Sequence, residues 1–158
     1  MKTVRFVLVI MMLVALGACC SLKHDSSAVR EVAAEEQRAC GVVFYDLTIE
    51  EALEKAKAEG KYVMIDFYTQ TCGPCKVMER DVFPLPECGE YINKRFVSIM
   101  VDGEDEGPGT EIAKKYQVFI FPTYMIMSPD GFKEGEVLGA EYDVNKFIDM
   151  LKTIVHDN

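Results

Sequence analysis

The 158-residue chain has no tryptophan, two histidines and a shortage of positive charge: 17 Lys and Arg stand against 26 Asp and Glu, for a net charge of −9. An acidic surface of that kind repels phosphates, so a nucleic-acid partner is excluded. No basic patch, internal repeat or low-complexity tract offsets the deficit. The two histidines, His24 and His156, lie in a polar stretch near the N-terminus and close to the C-terminus. Neither is placed to complete a four-ligand zinc site with a cysteine pair. Cys40 and Cys88 could raise the number of sulfurs to four, but they lack the spacing of a second pair. No metal is therefore expected.

The N-terminus carries export signals. Lys2 and Arg5 precede an unbroken apolar run from Phe6 to Leu16, followed by the small residues Gly17 and Ala18. That is the layout of a secretory signal peptide, and the run is short of the roughly 20 residues a membrane span needs. Leu16-Gly17-Ala18-Cys19 resembles a bacterial lipobox, which implies cleavage before Cys19 and lipidation of its sulfur. The expected organisation is a lipoprotein-type signal peptide at 1–18, a polar spacer at 19–41 and one folded domain at 42–158. The lipid would anchor the protein to a membrane of the bacterial cell envelope, facing the periplasm. Disulfides persist in such an oxidising compartment.

The order of elements follows from periodicity and punctuation. Thr48-Ile49-Glu50-Glu51 is a capping box that should open a helix running to Glu59. YVMIDFY (62–68) and FVSIMVD (96–102) read as buried strands, TYMIM (123–127) as a third, and the more polar KEGEVLG (133–139) as an edge strand. KVMERDVF reads as helix up to Pro84, a short helix falls around 110–116, and Pro86 to Ile92 starts another. Val144, Phe147, Ile148, Leu151 and Ile154 make one apolar face of a closing helix capped by Asp143. Helices alternating with strands imply an α/β fold with a central mixed sheet covered on both faces.

Cys72-Gly73-Pro74-Cys75 sits between the first strand and the following helix. A two-residue disulfide loop constrains the unfolded chain little, so a structural staple would stabilise little. Redox chemistry accounts better for the placement. Cys72 falls at a helix N-terminus, where backbone N–H groups and the macrodipole favour a thiolate. Cys75 lies one turn in, more shielded and able to attack a mixed disulfide. Pro74 is tolerated in a first helical turn.

In these residues the chain resembles the thioredoxin superfamily. Tyr62 to Phe67 is similar to the strand leading into the active site, and Cys72-Gly73-Pro74-Cys75-Lys76 to the redox motif. Phe121-Pro122-Thr123 is similar to the cis-proline segment, and Gly139 to the glycine before the last helix. The stretch from Asp46 to Phe67 and the insert PLPECGEYINKRFV resemble a subgroup that includes the C-terminal domain of bacterial thiol:disulfide interchange transporters. The resemblance implies a thioredoxin-like three-layer α/β/α sandwich with a central mixed sheet. It implies that Cys72 is the nucleophile, Cys75 the resolving thiol and Asp66 a buried general base behind Cys75. Phe121 and a cis Pro122, with Gly73 and Pro74, would face the substrate. No cofactor is implied beyond a redox-active Cys72–Cys75 disulfide.

The Gly-Pro dipeptide resembles that of reducing members. The implied function is reduction of protein disulfides, with electrons from a membrane thiol donor. A disulfide oxidase or isomerase, and a redox-inactive binding module on the same fold, are the alternatives. Thr71 stands where the family usually has tryptophan, and Ser98 where a lysine often neighbours the buried acid. Cys88 is expected to be a small buried hydrophobe.

Overall fold

The computed structural model describes residues 41–104 and 107–157. The predicted signal peptide, Cys19, Cys20 and Cys40 lie outside the described residues.

Helix α1 (Ile49–Glu59) begins at the predicted capping box: the Thr48 hydroxyl accepts from the Glu51 N–H at 3.2 Å, and the Glu51 carboxylate accepts from the Thr48 N–H at 2.9 Å. Such a cap contributes about 1 kcal/mol. The chain continues through β1 (Tyr62–Tyr68), α2 (Gly73–Val77), a π-helical turn (Met78–Val82), α3 (Pro86–Arg95), β2 (Phe96–Asp102), α4 (Pro108–Lys115), β3 (Thr123–Met127), β4 (Lys133–Leu138) and α5 (Val144–Ile154).

The four strands form one sheet in the order β2-β1-β3-β4. β1 runs parallel to β2 and antiparallel to β3, and β3 is antiparallel to β4, so the sheet is mixed as expected. β4 is an edge strand with most of its residues exposed. The other edge, β2, is partly covered by a bridge from Phe44 to Ser98.

Two cores sandwich the sheet. On one face Val63, Ile65, Phe67, Val97 and Ile99 meet Ala52 and Ala56 of α1 and Ala113 of α4. On the other, Met64, Phe96, Tyr124 and Ile126 meet Met78, Val82, Cys88 and Ile92, together with Phe147 and Leu151 of α5. These are the three layers of an α/β/α sandwich.

One element departs from the expectation of a regular helix to Pro84. After Val77 the backbone winds wider, and the Phe83 N–H bonds the Met78 carbonyl at 2.9 Å, five residues back. Pro84, which has no N–H, ends the helical path there. The wide turn lets Met78, Val82 and Phe83 all enter one core.

Candidate active site

The site forms where β1 hands the chain to α2. Cys72 is the N-cap residue of α2, and its sulfur accepts from the Cys75 N–H at 3.1 Å. Pro74 occupies the first turn, as its missing N–H permits. Cys72 and Cys75 are joined in a disulfide, with Cα atoms 5.4 Å apart. Cys72 is half-buried and Cys75 buried, while Gly73 and Pro74 between them are exposed.

The loop before Cys72 is held from the end of β2 and the residues just past it. The Gln70 N–H donates to Glu104 at 2.7 Å, and the Gln70 amide donates to Asp102 at 3.0 Å. Asp102 and Glu104 thus hold the approach to Cys72.

Phe121 and Pro122 lie beside the same crossing. Phe67 pairs with Thr123, so the bond before Thr123 sits next to the chain leaving β1. The Phe121–Pro122 peptide bond is cis. The Pro122 carbonyl accepts from Gly139 N–H at 2.8 Å, and Gly139 takes a φ of 80° that favours glycine. The Phe121 ring covers Gly103, where a Cβ would sit 2.7 Å from the ring. Just upstream, Phe119 is 76% exposed and Ile120 54%.

Asp66 is buried on the sheet face shared with Met64, opposite Ile65 and Phe67. Its Oδ1 has no hydrogen-bond partner among the described residues. Burial pushes its carboxyl well above the ordinary 3.8, and the negative charge of Glu79 adds to the rise. No cation is among the groups acting on it, in keeping with Ser98 at the position where a lysine was missing; Ser98 is itself buried. Glu79 and Lys76 line a cleft with Tyr68, Thr69 and Gln70 that opens beside α2.

Sequence reasoning missed Glu79. The signal was available: it follows Cys75 by four residues, one helical turn, and so lies near the same face. It also missed Tyr124, which is paired directly with Asp66 across β1 and β3. Cys88 is fully buried in the core, and burial pushes its thiol up to about 12. Among the described residues no group of three His, Cys, Asp or Glu could hold a metal ion, and no helix is long and apolar enough to cross a membrane.

A profile of the thioredoxin-like domain family matches residues 49–154. The chain belongs to the thioredoxin-like family. Its relatives include the thiol:disulfide interchange protein DsbD of Pseudomonas fluorescens, 31% identical over 98 residues, 61% of this chain and 17% of that protein. The chain therefore spans only about a sixth of that relative. An H-type thioredoxin from Oryza sativa subsp. indica is 36% identical over 103 residues, 65% of this chain and 74% of that protein. Among solved structures, a Bacteroides thetaiotaomicron chain named for disulphide isomerase superposes with a TM-score of 0.66 at 33% identity. The match covers 76% of this chain and 98% of that one. A Thermus thermophilus thioredoxin superposes with a TM-score of 0.63 at 27% identity, over 73% of this chain and 88% of that one. The family is one of disulfide oxidoreductases, and this member carries the Cys72–Cys75 pair.

Proposed function

We propose that the chain is an exported thiol–disulfide oxidoreductase that reduces disulfides in other proteins. The observation that carries this reading is the asymmetry of the pair: Cys72 half-buried at the head of a helix with an N–H aimed at its sulfur, Cys75 buried behind it. A thiolate at Cys72 would be favoured by that donor and by the helix dipole.

The reaction balances as two exchanges. The Cys72 thiolate attacks one sulfur of a substrate disulfide; a bond from Cys72 to substrate forms, and the other substrate sulfur leaves as thiolate and takes a proton from water. Cys75 then passes its proton to the Asp66 carboxylate and attacks the Cys72 sulfur. The Cys72–Cys75 disulfide forms, the second substrate sulfur leaves, and two electrons have moved to the substrate. A membrane dithiol donor would restore the reduced pair by the reverse exchange.

Several features support a polypeptide substrate. Phe119 and Ile120 are exposed immediately before Phe121 and Pro122, where an apolar segment flanking the target disulfide can lie. Gly73 and Pro74 are open to the same partner. No hydrogen bond among the described residues engages the Phe121 backbone, which leaves it for an extended substrate strand.

The test is an insulin-reduction assay with a measured reduction potential. A reductase turns insulin over and has a potential well below about −200 mV. A potential near about −120 mV with no insulin reduction would favour the oxidase reading instead. The proposed lipid at Cys19 has its own readout. The membrane-fraction protein should show the intact mass of a diacyl-modified N-terminal cysteine, and an unmodified Cys19 terminus would remove the anchor from the account.

A further inference from the structure

Three polar atoms share one buried face of the sheet without a hydrogen-bond partner among the described residues: Asp66 Oδ1, Ser98 Oγ and Tyr124 Oη. The residues are at most 2% exposed. Asp66 pairs with Tyr124 on β3 and with Met100 on β2, and Ser98 lies two residues before Met100. Directly paired residues project to the same face of a sheet, with Cβ atoms about 5 Å apart. A buried polar group left unpaired is costly, so three on one face mark a cluster with a purpose beyond packing.

The Tyr124 ring is fixed. It meets the Phe147 ring edge-on at 4.9 Å between centroids and the Phe83 ring at 5.9 Å. Burial and the negative charge of Asp66 both push its phenol upward, so the hydroxyl keeps its proton throughout the physiological range. The other titratable groups acting on the two residues are Glu79 from the π-helical turn, Cys88 from α3 and Tyr142 ahead of α5. All of these are acids, and none can stabilise a carboxylate by its charge. Tyr68, on the same strand as Asp66, is acidic too. An ionised carboxylate accepts only, whereas a neutral phenol can donate.

We propose that Tyr124 is a positioning residue for the base: its hydroxyl, which makes no direct hydrogen bond in the structure, donates to the ionised Asp66 carboxylate across one bridging water, where the family's usual lysine is missing. Ser98 offers a second donor on the same face. The proposal rests on the reading of Asp66 as the acceptor of the Cys75 proton. It explains how an acid with no cationic partner can ionise at all during resolution. The phenol keeps its own proton, so the only proton transferred is the one passing from Cys75 to Asp66.

The test follows the Asp66 carboxyl by 13C NMR across pH in the full chain with the cysteines reduced. Tyr124→Phe keeps both ring contacts and removes the donor. A hydrogen bond to a charged group is strong enough that its loss should raise the Asp66 titration by about one unit. Resolution near neutral pH should then slow about tenfold, and Tyr124→Phe should add nothing in an Asp66→Asn background. If Tyr124→Phe does not fold, 3-fluorotyrosine at position 124 keeps the size and sharpens the donor, and should lower the titration instead. An Asp66 titration unmoved by either change overturns the proposal. A titration that moves while the resolution rate does not would uphold the Tyr124 donor and reject Asp66 as the base.

Discussion

The backbone N–H of Cys75 donates to the sulfur of Cys72 across 3.1 Å. This contact distinguishes the two cysteines. The sulfur that receives it sits at the open end of α2 and would gain stability as a thiolate; the residue that supplies it is buried one turn behind. Pro74 leaves the geometry undisturbed because it contributes no competing donor. The order of attack proposed for the pair follows from this arrangement.

Asp66→Asn should slow resolution of the mixed disulfide about 10²-fold, the usual weight of a general base. Its effect on stability should depend on pH. The native carboxyl binds its proton more tightly than the unfolded one, whose ordinary value is 3.8. Wild-type stability is therefore intact below that value and declines as pH rises toward the native value, whereas the asparagine variant lacks the decline. Denaturant melts from about pH 4 to pH 8 should show the variant gaining on wild type as pH rises. A stability difference that is constant across that range would contradict the buried, unpaired acid.

Glu79→Gln should make Asp66 easier to ionise, because the charge that adds to the Asp66 shift is gone. The acid limb of the resolution rate should move to lower pH. Glu79 is exposed, so the displacement should shrink as salt rises. PH–rate profiles at low and high ionic strength measure both effects, and an unmoved limb at low salt would show that Glu79 does not reach Asp66.

Cys88→Ala should leave turnover within about twofold of wild type and lower stability by about 1 kcal/mol, the ordinary cost of a core substitution. The thiol is wholly buried and, at about 12, almost never a thiolate near neutral pH. A folded variant that has lost most of its turnover would make Cys88 a third redox group.

Phe119→Ser combined with Ile120→Ser should raise KM for an unfolded, disulfide-bonded protein about tenfold, in line with the apolar area withdrawn from the contact. The rate with a small disulfide such as hydroxyethyl disulfide should stay the same. Equal losses on both substrates would place these residues outside the substrate surface.

Much of this was legible in the sequence, and the exceptions have physical causes. The capping box at Thr48 and Glu51, the buried strands and the apolar face of α5 are local patterns, and they stand where periodicity put them. Asp66 could be recognised as buried because Met64, Ile65 and Phe67 surround it with apolar side chains on both faces. The π-helical turn was not legible, since MERDV carries no local signal for five-residue hydrogen bonding and the tertiary demand to bury Met78, Val82 and Phe83 decides it. Tyr124 escaped for a different reason. Its relation to Asp66 depends on the register between β1 and β3, and strands 55 or more residues apart in sequence do not reveal their register. The hold on Gln70 is not legible in the sequence either, because its partners, Asp102 and Glu104, lie at and just past the end of β2, far along the chain.

The most direct test of the central claim is to locate the trapped intermediate. Cys75→Ser, reduced and mixed with a disulfide-bonded peptide, should accumulate a mixed disulfide that mass spectrometry maps to Cys72, while Cys72→Ser should accumulate none. Peptide bound to Cys75 in the Cys72→Ser protein, with none on Cys72 in the other, would reverse the roles; no adduct on either would mean the pair is not a redox site.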